Sequence, residues 1–243
     1  TVIVTNASGG VVYNKTHPIE NGVVTVPVEN LPAGDYDVNV TYNGDDNYAN
    51  STFTGSFTVN SINSTVTVEP VNITYGDNET IKFNVTDGAT GTVNITVTGV
   101  DGVVATFNDV PIANGTVGVN VADLAAGNYS VNVTYSGDNN FNPSSAVANF
   151  SVSKATPAVN VNTTNIDYHE SESIKVNVTG VEGGDVPTGN VTVVIDGKVY
   201  NVTDVTVKPV IIDIGQLIPG NHTIEVIYSG DDNFTPASNI TYV

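Results

Sequence analysis

The sequence predicts an all-β protein: tandem β-sandwich domains joined head to tail into a rod. Three observations predict it. A unit of 93 residues repeats along the chain, apolar residues inside the unit alternate with a period of two, and turn residues interrupt that alternation at short intervals.

The repeat sets the frame. Residues 31–48 read LPAGDYDVNVTYNGDDNY, residues 124–141 read LAAGNYSVNVTYSGDNNF and residues 217–234 read LIPGNHTIEVIYSGDDNF. Leu31, Leu124 and Leu217 are 93 residues apart, and so are Gly44, Gly137 and Gly230. Upstream, Asn21-Gly22 recurs as Asn114-Gly115, and Tyr75-Gly76 aligns with Tyr168-His169. Such a unit is close to the ~100 residues of a seven-stranded sandwich.

Inside the unit, Ile81, Phe83 and Val85 alternate with Lys82, Asn84 and Thr86, as a half-buried strand requires. Val131, Val133 and Tyr135 alternate with Asn132 and Thr134 in the same way. The turns fall at Tyr75-Gly76-Asp77-Asn78, Asp101-Gly102 and Asn114-Gly115, where Asp, Asn and Gly tolerate the positive φ of tight hairpins. For the middle copy this predicts seven strands: 64–75, 79–86, 92–98, 103–108, 115–121, 127–136 and 145–152. No segment carries a helical stripe.

The pattern Leu-x-x-Gly-x-Tyr, at Leu31 to Tyr36 and Leu124 to Tyr129, places a Tyr at the start of the sixth strand after a tight Gly turn. That is the pattern of a tyrosine corner, in which the hydroxyl bonds back to the backbone. The third copy has His222 instead, and its corner is expected to be looser.

The run Gly-x-Tyr-x-Val-x-Val-Thr-Tyr-x-Gly-Asp-x-Asn-Tyr/Phe, followed by a Ser and a closing Phe-x-Val, resembles the bacterial-type immunoglobulin-like (Big-like) repeats of bacterial and archaeal cell-surface adhesin-like proteins. The resemblance covers all three copies. It implies immunoglobulin-like sandwiches in an extracellular, cell-surface setting, as a non-catalytic stalk or adhesin segment. Implied partners are neighbouring repeats of the same protein, and another cell surface or a polysaccharide. Two other readings stay open: a filament subunit assembled by strand sharing, and a polysaccharide-binding accessory region of a secreted enzyme.

The repeat gives boundaries at 1–60, 61–153 and 154–243. The joints, Asn60-Ser61-Ile62-Asn63-Ser64 and Ser153-Lys154-Ala155-Thr156-Pro157, are too short to be free linkers, so limited bending is expected. In this alignment Thr1 matches Asn94, and the first copy lacks the counterparts of its first two strands. A sandwich without them leaves the other sheet's inner face uncovered. At about 25 cal/mol per Å² of apolar surface, that loss is large against a total stability of ~5–15 kcal/mol. The expectation is either that the parent chain extends further towards the N-terminus or that another chain lends the strands.

Composition excludes several functions. The 243 residues hold 25 acidic against 6 basic side chains, a formal charge of −19, with no Cys, Met or Trp. The six cations are Lys15, Lys82, Lys154, Lys175, Lys198 and Lys208, too scattered to form the basic stripe that phosphate binding needs. Nucleic acid is therefore not an expected partner. No apolar run reaches the ~18 residues of a membrane helix, so this segment is not expected to insert into a membrane. Without Cys, each domain depends on its hydrophobic core rather than on disulfides.

The candidate sites are few. His17, His169 and His222 fall in different copies and share no spacing with a nucleophile or a carboxylate pair, so no catalytic residue and no cofactor is expected. The acidic loops Gly44-Asp45-Asp46-Asn47, Gly137-Asp138-Asn139-Asn140 and Gly230-Asp231-Asp232-Asn233 read as hairpin connections closed by Asp and Asn side chains. At the joint between the second and third copies, Asp77, Asp123, Glu182, Asp185, Asp231 and Asp232 are candidate calcium ligands. Brought together they would repel unless spread apart, solvated or bridged by a cation. Asn-x-Ser/Thr sequons number 20 among 32 Asn. Strand alternation explains Asn39, Asn84, Asn132 and Asn177, whereas Asn14, Asn78, Asn114 and Asn221 read as turn positions open to N-glycosylation. Lys82 and Lys175 occupy matching strand positions, but alternation turns them to solvent, away from the burial that a Lys–Asn crosslink would need.

Overall fold

The computed structural model describes residues 1–112, 116–165, 167, 169–205 and 210–243. All regular structure among them is β. In the middle repeat one sheet orders Gly102–Pro111, Thr92–Gly99, Gly127–Tyr135, Ser144–Ser153 and Ile73–Thr74, and the facing sheet orders Thr116–Val121, Glu79–Val85 and Val66–Glu69. Ile81, Phe83 and Val85 from the second face Val93, Ile95, Val97, Val131, Val133 and Tyr135 from the first, all buried. The alternation read in the sequence is thus the in-out alternation of a two-sheet core.

One predicted strand is divided. Residues 64–75 read as continuous, yet Val66–Glu69 pairs antiparallel with Glu79–Val85, while Ile73–Thr74 crosses over to pair parallel with Ser144–Ser153. The division follows Pro70, which has no N–H to continue a ladder. Buried Glu79 accepts the Val71 amide at 2.8 Å and so satisfies the backbone where the chain changes sheets. The third repeat repeats the plan, with Ala158–Asn162, Glu172–Thr179 and Val210–Gly215 facing Lys198–Asp204, Asn190–Ile195, Thr223–Tyr228 and Ala237–Tyr242.

Residues 1–60 form a single sheet in the order Val11–Lys15, Val2–Asn6, Gly34–Tyr42 and Ser51–Val59. Among the described residues no second sheet covers its inner face. Phe57 is 36% exposed, where its counterpart Phe150 is 4%; Phe53 is 68% exposed and Val40 36%. Residues 23–28, which match the fifth strand, find no ladder beyond the isolated bridge between Glu20 and Val23.

The corners hold in all three repeats, and the third departs from expectation. Tyr36 Oη donates to the Pro32 carbonyl at 2.8 Å, and Tyr129 Oη to the Ala125 carbonyl at 2.7 Å. His222 was expected to leave a looser corner. Instead its Nε2 lies 2.6 Å from the Ile218 carbonyl and its Nδ1 2.6 Å from Asp196 Oδ2. Both neighbours are acceptors, so satisfying both requires a proton on each ring nitrogen, which only the imidazolium carries. Asp196 Oδ1 also accepts the Thr223 amide at 3.0 Å. The Asp196 hydrogen bond, then the Ile218 carbonyl, raise the His222 pKa above its ordinary 6.5. The His222 bond, then the Thr223 amide, lower that of Asp196 below its ordinary 3.8.

A raised histidine pKa stabilises the fold fully below about 6.5, and that contribution fades as pH rises through the folded value. A lowered aspartate pKa acts above about 3.8 and fades as pH falls through its own folded value. The pair therefore contributes most between those two limits. In thermal melts of the full chain, the His222→Tyr variant should lack a fall in third-repeat stability that the parent shows on the alkaline side of pH 6.5. Parallel pH profiles would show that the ring is not protonated in the fold.

Candidate functional site at the joints between repeats

The loop between the sixth and seventh strands is built on its first aspartate. Asp138 Oδ1 accepts the amides of Asn140 (2.8 Å) and Phe141 (2.9 Å), while Oδ2 accepts the Thr90 amide (2.8 Å) and hydroxyl (2.7 Å). Asp231 repeats this with Asn233, Phe234 and Thr188, and Asp45 closes the first loop on Asn47 and Tyr48. Burial alone would raise the Asp138 and Asp231 pKa values, but these donors outweigh it and hold both carboxyls low. Burial, then the adjacent Asp138 carboxylate, push the Tyr135 hydroxyl up to about 12. Gly137 and Gly230 have positive φ, and a Cβ on either would sit 2.9 Å from a backbone oxygen, so the turn requires Gly for both conformation and space.

The locked loop presents an asparagine to the preceding repeat. Asn140 Oδ1 accepts the Ala33 amide at 2.8 Å, and Asn233 Oδ1 accepts the Ala126 amide at 2.9 Å. Donors and acceptors are each 93 residues apart, so one bond recurs at two joints. The same asparagines hold the linkers through their carbonyls: Asn140 O accepts the Ile62 amide at 2.9 Å and Asn233 O the Ala155 amide at 3.0 Å. Each linker thereby runs beside the loop as a short parallel pairing, Ile62 opposite Phe141 and Ala155 opposite Phe234.

The corner and the joint meet in one peptide group. The carbonyl that takes the Tyr129 hydroxyl belongs to Ala125, and the amide that reaches Asn233 is the next one, Ala126. Tyr36, Pro32, Ala33 and Asn140 form the same chain at the first joint. Each peptide is held at both ends, and the two bonds polarise each other.

The second joint has a further contact. The Tyr75 hydroxyl accepts the Asp185 amide at 2.8 Å, and the Tyr75 ring meets Phe234 edge-on at 5.3 Å between centroids. Gly76 and Gly183 pass so closely that a Cβ on Gly183 would lie 2.6 Å from the Gly76 carbonyl oxygen. Beside this contact is a cavity of about 160 Å³ lined by Tyr75, Asp77, Asp123, Asp185 and Asn233 among others.

The six candidate calcium ligands divide. Asp77, Asp123 and Asp185 line that cavity, Asp231 is occupied by the donors of its own loop, and Glu182 and Asp232 are exposed. Among the described residues no group of three or more His, Cys, Asp or Glu side chains is arranged to hold a metal ion. The carboxylates relieve their repulsion by facing solvent or by taking backbone donors. Asn78 and Asn221 are exposed in the connections between strands, each just after a turn or bend. Asn14 departs from its expected turn position and lies exposed in the edge strand Val11–Lys15, and Asn114 lies outside the described residues. Lys82 and Lys175 are exposed on their strands.

Sequence reasoning missed Asn140, Asn233, Tyr75 and Gly183 as joint residues. A signal existed for the asparagines. The loop needs its Gly and Asp for closure, whereas Asn recurs at 47, 140 and 233 without a task inside the loop.

A family model described as bacterial Ig-like domain (group 3) matches residues 66–153 and 159–243. No curated protein matches the chain. Among solved structures, titin domains A168-A170 are 13% identical, with a TM-score of 0.35 over 99% of this chain and 87% of that one. Immunoglobulin domains 1–5 of Sidekick-1 are 15% identical, with a TM-score of 0.34 over 100% of this chain and 53% of that one. Domains FN1–FN3 of chicken CNTN1 are 10% identical, with a TM-score of 0.28 over 100% and 90%. At scores this low the likeness bears on neither function nor partner.

Two substitutions separate the roles at the second joint. Asn233→Ala removes the acceptor of the Ala126 amide and should broaden the distance distribution between spin labels on the second and third repeats. It should move the unfolding of either repeat by no more than about 0.5 kcal/mol. Tyr129→Phe should broaden the same distribution and also cost the second repeat about 1 kcal/mol in urea unfolding. Unchanged distributions in both would show that this bond does not set the joint.

Proposed function

The chain belongs to the bacterial Ig-like domain (group 3) family, and on that premise we propose that it is a non-catalytic stalk segment of an extracellular, cell-surface adhesin-like protein. Its task is to space a binding surface from the cell. The observation that supports this most is the joint, which repeats with the same donor, acceptor and linker pairing 93 residues apart. A repeated short joint carries one orientation from unit to unit, which a spacer under lateral load needs and a freely jointed set of binding modules does not.

The surface suits that setting. Its polar positions are mostly Asn, Thr and Ser, and the charged residues are only 13% of the chain. We assign glycans first to Asn14, Asn78, Asn114 and Asn221. Asn233 also lies in a sequon, but its side chain is part-buried against Ala126 of the preceding repeat, where a glycan on the amide nitrogen would crowd the joint, so it should stay unmodified.

A second reading, strand sharing into a filament, draws on the uncovered inner face of residues 1–60, with Phe53, Phe57 and Val40 exposed. Sedimentation velocity distinguishes the two: the stalk reading expects a concentration-independent elongated monomer, the filament reading a growing series.

Antibodies raised against the chain should label intact source cells, and external protease should remove the signal before lysis. Labelling only after permeabilisation would overturn the surface assignment. Intact mass of the same segment released from source cells should exceed 25.2 kDa, with Asn233 unmodified in its peptides. A mass equal to the bare chain would remove the glycan assignment alone.

A further inference from the structure

We propose that the far pole of the third repeat is closed to another repeat of this family in the docking register used at the existing joints. The stiff register of the rod would then stop there, and any following unit would be tethered rather than docked. This rests on the stalk reading for its meaning but on separate residues for its evidence.

The docking pole of the second repeat has three features. Gly76 adopts a φ of 96° and approaches the third repeat so closely that a Cβ there would lie 2.7 Å from Val181 Cγ2 and 2.8 Å from the Glu182 carbonyl oxygen. Ala126 supplies the amide to Asn233. Ala125 lines the joint cavity.

All three positions change in the third repeat, each against docking. The counterpart of Gly76 is His169, which keeps the left-handed backbone with a φ of 76°. Its Cβ therefore points where Gly76 has none, into the space that the loop of a following repeat would occupy. The counterpart of Ala126 is Pro219, which has no N–H to donate. The counterpart of Ala125 is Ile218, whose side chain is 76% exposed at the pole.

These changes do not reflect a decayed repeat. The corner under the pole is intact and charge-assisted through His222 and Asp196, and the core strands behind it are buried. The carbonyl of residue 218 is still held, as those of residues 32 and 125 are. Only the outward half of the peptide group, the half that meets the next repeat, has lost its donor. The third repeat thus keeps a working receiving pole, with Asn233, Val181 and Asp185, and a cancelled donating pole.

The test extends the full chain at its C-terminus with Ser-Val-Ser, the counterparts of residues 151–153, followed by a second copy of residues 154–243. That unit carries its own core and the receiving pole that already docks on the second repeat. The chain has no Cys, so spin labels can be placed on introduced cysteines at exposed strand positions such as Asn132 and Lys175 and their counterparts. The distance distribution across the new joint should be about two-fold or more broader than across the native second joint, as for a tethered pair. Restoring His169→Gly, Ile218→Ala and Pro219→Ala together should narrow it towards the native width. In the unextended chain, Gly76→His with Ala126→Pro should broaden the native joint, while melts show both repeats still folded. A new joint as narrow as the native one overturns the proposal. A broad joint that restoration leaves broad overturns its assignment to these residues.

Discussion

At each joint of this protein one peptide group is held from two sides. The corner tyrosine takes the carbonyl of Pro32 or Ala125, and the asparagine of the following repeat takes the amide of Ala33 or Ala126. The first bond is internal to a domain and the second crosses between domains. A polarised peptide is a better donor than a free one, so the corner that closes the sandwich also orients its contact with the next. The acceptor is equally prepared. Asp138 and Asp231 fix their loops before Asn140 and Asn233 meet anything. The joint bond thus draws both its donor and its acceptor from groups already held inside the units, with no disulfide.

The comparison of residues 1–60 with the other repeats shows what the core depends on. Phe57 and Phe150 are the same residue type at the same strand position, and each stacks on its corner tyrosine at 5.3 Å. One is half-exposed and the other buried because only the second has a sheet opposite. Alternation specifies which side of a strand is apolar. Burial needs the partner sheet that alternation cannot supply. The run at residues 23–28 makes the same point for hydrogen bonds, since among the described residues it has no strand to form a ladder with.

Much of the fold was legible for a physical reason: a period of two and a period of 93 are both local properties of the chain. The strand positions of the middle repeat apart from the divided 64–75, the corner tyrosines and the outward Lys82 and Lys175 follow from them. What was not legible depended on direction and distance in space. Of the acidic residues assigned to the second joint, Asp77, Asp123 and Asp185 line one cavity, but charge counting could not show that Asp231 already has backbone donors or that Glu182 is not part of that lining. Asn14 fell in a strand because its sequon looks the same in either setting. At His222 the chemistry of the ring, rather than its smaller volume, decides the outcome. A second ring nitrogen found Asp196, which tyrosine could not have bonded in that way.

The third repeat shows that the two functions of the shared peptide can be separated. Substituting His for Tyr keeps the carbonyl half engaged, and substituting Pro for Ala removes the amide half. If the corner served only to make the joint, both halves would be expected to relax together. Instead the internal bond is reinforced by a charged partner where the external one is lost, so the corner is needed by the sandwich itself. The joint uses a group that the fold has already positioned. Stiffness between repeats is then an added property that the sequence can keep or cancel at a pole by changing residues such as 76, 125 and 126, or 169, 218 and 219, without altering the strands beneath.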